Sequence, residues 1–295
     1  MYKNEHIFEF YLKNNNKKDK KNNEELTEAS KKILSCIIAL GYESEYPEYQ
    51  IDIEKVIHMI MFENTEYNML LTKDKIGEIL DELRDNKTKE AQIANKCLSL
   101  DMFDESDKEQ IIKRLYEKYM TLAQTPRLSH IMYLEPYYFF KGYENVLEHI
   151  YGTMLLAIGI KSEYNYFLDY KRLYSTLLLH ETDEIILGDS LCDLSQKTSE
   201  LTDESKTAIS EVLSELRKEK DYIKQLIEYK RRSDITMEYA SLINRLEFLL
   251  QTKIYEIKGM YISDEVFDKI YEKDKSSYHL IPCLRGILEK AKKLY

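Results

Sequence analysis

Residues 144–157 read ENVLEHIYGTMLLA, and the fold class follows from this stretch. Val146, Ile150, Met154, Leu155 and Ile158 recur at helical spacing, and Leu147 and Leu156 fill the flanks, so the segment predicts a helix buried on most of its sides. His149 then stands inside the core, where a histidine needs a partner for each ring nitrogen. The same helical spacing continues outward in both directions. Upstream it runs through Ile33, Ile37 and Leu40, then Ile53, Val56, Ile57 and Ile60, then Ile76, Ile79, Leu80 and Leu83. Downstream it runs through Leu173, Leu177 and Leu178, then Ile209, Val212, Leu213 and Leu216. No alternating run bounded by hairpin residues interrupts it, and only 8 Gly and 4 Pro occur among 295 residues, so the expectation is all-α.

The chain is 43% hydrophobic and 33% charged, which supports a packed core and argues against global disorder. With 43 Lys+Arg against 53 Asp+Glu the net charge is −10, an unfavourable balance for nucleic acid or an anionic membrane. The only basic clusters, Lys17 to Lys21 and Lys230 to Arg232, are short. No apolar run reaches the ~18–20 residues that span a bilayer, and the start MYKNEHIFEF lacks the core of a signal peptide, so a cytoplasmic location is expected. Cys36, Cys97, Cys192 and Cys283 are far apart and read as isolated thiols in a reducing compartment.

Sliding the sequence by 118 residues reveals an internal similarity. Ala39 and Gly41 fall on Ala157 and Gly159, Ser44-Glu45-Tyr46 falls on Ser162-Glu163-Tyr164, and Glu63 and Glu66 fall on Glu181 and Glu184. One helical unit is therefore expected twice. Residues 1–25 are expected to be a flexible segment because 13–25 are polar and of low complexity, 26–125 a degenerate first unit, and 126–295 a second unit with a helical extension.

His180 follows three leucines in YSTLLLHETDEIILGD, and Glu184 lies one turn on along the same helix face. Imidazole and carboxylate together suit a divalent transition metal. The ordered set Glu144-Asn145-Val146-Leu147-Glu148-His149, then His180-Glu181-Thr182-Asp183-Glu184 through Gly188-Asp189, then Ile243-Asn244-Arg245-Leu246, resembles the HD-domain metal-dependent phosphohydrolases. Within them it is most similar to the branch containing 5′-deoxynucleotidases.

The resemblance implies that His149, His180, Glu181 and Asn244 hold the metal (Mn, Co, Ni, Fe or Zn), with Glu184 handling the proton and Asp189 lining the same site. Two residues depart from the family pattern: Glu181 and Asn244 both stand where it has Asp. The first carboxylate is one methylene longer; the second ligand is a neutral amide. Arg127 and Lys141, ahead of the His149 helix, are the cationic candidates for a substrate phosphate, and Arg245 is read as an ion-pair residue. The expected partner is a small phosphorylated molecule, most naturally a nucleotide. Helical domains with Tyr-rich surfaces also pair readily, so a homodimer is a further expectation. The alternative is an HD scaffold that has lost catalysis and serves as a ligand sensor or interaction module. In the first unit Lys31, Phe62 and Lys113 stand at the ligand positions, which excludes a cation there, and His58 and His130 read as structural.

Overall fold

The computed structural model describes residues 2–18, 25–100, 103–127, 134–135, 143–164, 166–189, 200–258, 261–262 and 286–287. Lys141, His130, His279, Cys192 and Cys283 lie outside them.

The fold is all-α. Its helices are α1 (Tyr2–Asn15), α2 (Glu28–Glu45), α3 (Ile53–Phe62), α4 (Lys73–Asp85), α5 (Lys89–Leu98), α6 (Asp107–Met120), α7 (Val146–Tyr164), α8 (Tyr170–Leu179), the short α9 (Glu184–Leu187), α10 (Asp203–Leu213), α11 (Glu219–Arg231) and α12 (Ile235–Ile257). A two-residue antiparallel pair, Leu134 opposite Ile262 and Glu135 opposite Tyr261, is the only strand pairing within named strands among the described residues. No helix among the described residues is long and apolar enough to cross a membrane.

Helix starts follow the sequence closely. Thr27, Asp52, Thr88, Ser106, Asp169, Thr202 and Asp234 each accept a bond from a backbone N–H two or three residues on, satisfying an otherwise orphan donor. At the head of α7 the exchange is reciprocal: Glu148 N–H donates to Asn145 Oδ1 and Asn145 N–H to a Glu148 carboxylate oxygen. This box fixes the first turn of α7, and with it His149.

Two helices at the centre are buried almost throughout. α2 and α7 pack against each other, and each carries a glycine where another helix crosses. A Cβ at Gly41 would touch Ile112 of α6 at 3.0 Å, and one at Gly159 would touch Phe10 of α1 at 3.1 Å. Thus α6, which leads into α7 in sequence, packs on α2, whereas α1, which leads into α2, packs on α7. α1, its following 3-10 turn, α2 and α3 have 14, 3, 18 and 10 residues. α6, its 3-10 turn, α7 and α8 have 14, 3, 19 and 10.

The N-terminal segment departs from expectation. Residues 2–18 are a helix and a 3-10 turn rather than a flexible lead-in, with Ile7, Phe10 and Tyr11 in the core. The polar stretch that suggested disorder contains two buried residues with distant partners. Asn14 Nδ2 donates to the carbonyls of Phe10 and Glu66 while its Oδ1 accepts from Glu66 N–H, and Lys18 is tied into the second half. Composition alone cannot register such partners.

Candidate metal centre

The site lies where the first turn of α7 meets the end of α8. α8 stops at Leu179, and His180 occupies its C-cap with Nδ1 2.8 Å from the Leu177 carbonyl. A carbonyl can only accept, so Nδ1 carries the hydrogen and Nε2 presents its lone pair inward. On the facing helix His149 Nδ1 lies 2.7 Å from Glu247 Oε2 of α12. Glu247 Oε1 in turn accepts from Lys18 Nζ at 2.8 Å and Tyr11 Oη at 3.0 Å, so this carboxylate acts as acceptor and His149 also keeps its hydrogen on Nδ1.

The two Nε2 atoms therefore face each other, 3.4 Å apart. Glu181 Oε1 stands 3.1 Å from His180 Nε2 and 3.5 Å from His149 Nε2. Ligands bound to one metal at about 2.1 Å would be separated by about 3.4 Å in a tetrahedron and about 3.0 Å in an octahedron. Two ring nitrogens and an anionic oxygen at such spacing attract a positive charge, a metal ion or a proton, between them. The donor set fits a divalent transition metal, and the three residues, all buried, could hold one.

The other expected site residues gather around this triangle. Arg127 reaches it because residues 125–127 pair with 144–146: Arg127 N–H donates to the Glu144 carbonyl and Val146 N–H to that of Thr125. Its buried guanidinium donates to Glu181 Oε1 and Glu184 Oε1, both at 2.6 Å, and lies 3.3 Å from Asp189 Oδ1. Arg127 Nε and Glu184 Oε2 are buried without a hydrogen-bond partner, which leaves polar valence for a ligand or water. Asn244, on the same helix as Glu247, donates from Nδ2 to Tyr229 Oη at 2.9 Å, and the Tyr229 ring stands edge-on to His180 at 5.9 Å. Three of the four expected ligands thus converge through their donor atoms, and Asn244 meets the aromatic wall beside His180. Lys141 lies outside the described residues.

Burial separates the two glutamates electrostatically. At Glu181 burial opposes ionisation, but Arg127 and the two imidazoles outweigh it and hold the carboxyl well below the usual range. At Glu184 burial is joined by the charges of Glu181 and Asp189, and the carboxyl is held well above its usual range despite Arg127. Burial also lowers His180, whereas at His149 Glu247 and Glu181 overcome burial and raise it. Two neighbouring carboxyls whose surroundings push their pKa values in opposite directions are the pairing that acid–base chemistry needs.

Sequence reasoning missed the layer behind His149. Glu144, His149 and Glu247 form a second buried acidic group, and Lys18 Nζ occupies it, 2.8 Å from Glu144 Oε2 and from Glu247 Oε1 and 3.1 Å from Gln251 Oε1. Gly152, one turn beyond His149, makes room: a Cβ there would lie 2.2 Å from Glu247 Oε1. The available signal was Glu247 itself, an acid on the apolar face formed by Ile243, Leu246 and Leu250.

In the first half, the end of α3 holds a lysine rather than histidines. Lys32 is buried, and its Nζ donates to the carbonyls of Ile60 at 2.7 Å, Met61 at 3.4 Å and Glu63. Lys113, expected at a ligand position, is exposed and faces Glu117 at 3.9 Å, because the apolar side of α6 turns Ile112 inward instead. His58 donates to or accepts from Tyr174 Oη at 3.1 Å, a structural role as expected.

Buried imidazoles and a carboxylate held between helices make a donor set that could hold a divalent metal. Residues 138–280, slightly less than half of the chain, match the family model described as HD domain. The match supports an HD domain in this part of the chain, and it spans His149, His180, Glu181 and Asn244. Comparisons with curated proteins and with solved structures gave no significant match.

Proposed function

We propose that the protein is a metal-dependent phosphohydrolase acting on a small phosphorylated substrate, a nucleotide being the most natural. The observation that carries this reading is the triangle of His149 Nε2, His180 Nε2 and Glu181 Oε1, with sides of 3.4, 3.1 and 3.5 Å. A divalent cation held there by His149, His180 and Glu181 would supply Lewis acidity toward a phosphoryl group and toward water. Asn244 is proposed as the fourth ligand through its amide oxygen.

The chain's own residues divide the remaining work. Arg127 is the buried cation available to a phosphoryl oxygen, and its five donors allow it to keep a carboxylate while accepting a new anion. Glu184, whose Oε2 is unpartnered, holds a proton at that atom for a leaving oxygen and takes one back from attacking water. Asp189 steadies the Arg127 guanidinium at Nη1, the nitrogen that also donates to Glu184.

Matching lengths of α1 to α3 and α6 to α8 favour a duplicated unit whose leading helices are exchanged, the first copy having replaced its cation with the Lys32 ammonium. A non-catalytic sensor is the competing reading, favoured by Asn244 in place of an acid and by Arg127 already bonded to Glu181. Metal analysis of the purified protein, followed by a nucleotide screen with Mn²⁺, Co²⁺ and Ni²⁺, separates them. Hydrolysis with at least one metal is expected, and bound metal without turnover on any nucleotide favours the sensor.

A further inference from the structure

The group behind His149 is built from both halves of the chain. Tyr11 and Lys18 come from α1 and its 3-10 turn, Glu144 and His149 from the head of α7, and Glu247 and Gln251 from α12. All are buried, and each contact is within hydrogen-bond distance. A histidine that binds metal through Nε2 depends on the acceptor at Nδ1, which fixes its tautomer and ring plane. Here that acceptor is Glu247, whose other oxygen accepts from Lys18. The ammonium lies between two carboxylates, Glu144 and Glu247, and Gly152 leaves the room in which the Glu247 carboxylate sits.

We propose that Lys18 is a positioning residue for the metal centre, holding Glu247 so that His149 is locked with Nε2 toward the cation. The N-terminal helix thereby becomes part of the site in the opposite half of the chain. Docking of α1 through Phe10 against Gly159 delivers the lysine, so an undocked α1 would leave His149 free to turn or to change tautomer. This inference rests on the metal-centre reading of His149, and its test separates the two.

Lys18→Met leaves two buried carboxylates facing each other, so the working variant is Lys18→Met with Glu144→Gln, compared with Glu144→Gln alone and checked for native circular dichroism. Affinity for Zn²⁺ and Co²⁺ is read by competition with a chelating dye. The loss of Lys18 is expected to weaken binding about tenfold or more, the scale of outer-shell partners. In a Glu247→Gln background the same change is expected to add nothing, because Lys18 acts through that carboxylate. Unchanged affinity, or losses that multiply with Glu247→Gln, would overturn the proposal. A second readout needs no metal: ¹⁵N NMR of the His149 ring in the metal-free protein at pH 8. Nδ1 is expected to carry the hydrogen in the native chain, and the variant is expected to show both tautomers. Identical ring spectra would overturn the lock. If the native chain bound neither metal, the metal-centre reading would fall, while the ring spectra would still decide the role of Lys18.

Discussion

Gly152→Ala tests how tightly the layer behind His149 is built. A Cβ there would lie 2.2 Å from Glu247 Oε1 and 2.8 Å from its Cδ and Cγ. Reaching even 3.0 Å from Oε1 requires a displacement approaching 1 Å. That oxygen already accepts from Lys18 at 2.8 Å and Tyr11 at 3.0 Å, and the other oxygen from His149 at 2.7 Å. Overpacking of this kind costs about 1–3 kcal/mol, and weakening a charge-assisted bond adds about 1.5–3 kcal/mol. Alanine regains about 1 kcal/mol of helix propensity. The expected net loss is about 1.5–5 kcal/mol in urea unfolding, with metal affinity reduced about 10- to 100-fold. Gly77→Ala is the matched control: it sits inside α4 with nothing within 4 Å of the added Cβ. That variant should gain about 0.5–1 kcal/mol and leave metal binding unchanged. If Gly152→Ala behaved like Gly77→Ala in both assays, Glu247 would not be seated against α7 and the orienting layer would be wrong.

Glu184→Gln should retain metal and lower kcat by about 10²- to 10⁴-fold, since it removes the exchangeable proton while keeping the shape; unchanged turnover would assign the proton transfer elsewhere. Arg127→Met should destabilise the fold by about 3–5 kcal/mol, because it strands carboxylates that the guanidinium now pairs in a buried setting; a neutral effect in chemical denaturation would contradict the pairing. His58 gives a pH signature. Burial lowers its pKa from 6.5 to about 4 in the folded chain, with Asp52 opposing and Tyr174 and Phe62 packed on the ring. Between those values the unfolded chain binds the extra proton, so stability falls as pH drops from about 6.5 to 4, by at most about 3 kcal/mol. His58→Gln should flatten that part of the stability–pH curve, and a slope equal to the native one would assign it to other groups.

α2, α3, α4, α7, α8 and α10 were legible because their buried faces leave a periodic trace, whereas α5, α6 and α11 were not singled out. His149, His180 and Glu181 were legible because local runs of apolar residues carry them into the core. Lys18 was not, since its partners Glu144 and Glu247 are 126 and 229 residues away and its own surroundings are polar. The same limit affected α1, whose burial is decided by α7. The proposed duplication keeps the ungapped 118-residue register only in part. It fits the caps Thr27 and Asn145, but Asp52 and Asp169, which cap the 10-residue helices α3 and α8, are offset by 117. The connection ahead of α3 is two residues longer than that ahead of α8 and α7 is one residue longer than α2, a net offset of one that aligns Glu63 rather than Phe62 with His180. Asn244 was found by motif alone, and its bond to Tyr229 depends on the packing of α11 on α12, which periodicity does not encode.

Metal stoichiometry in the native chain and in His149→Ala and His180→Ala is the most direct measurement. Mass-spectrometric metal analysis after exposure to Mn²⁺, Co²⁺, Ni²⁺, Fe²⁺ or Zn²⁺ and desalting should give close to one ion per native chain and almost none for either variant. Equal metal content in all three proteins, or none in the native chain, would contradict a cation shared by the two imidazoles and Glu181.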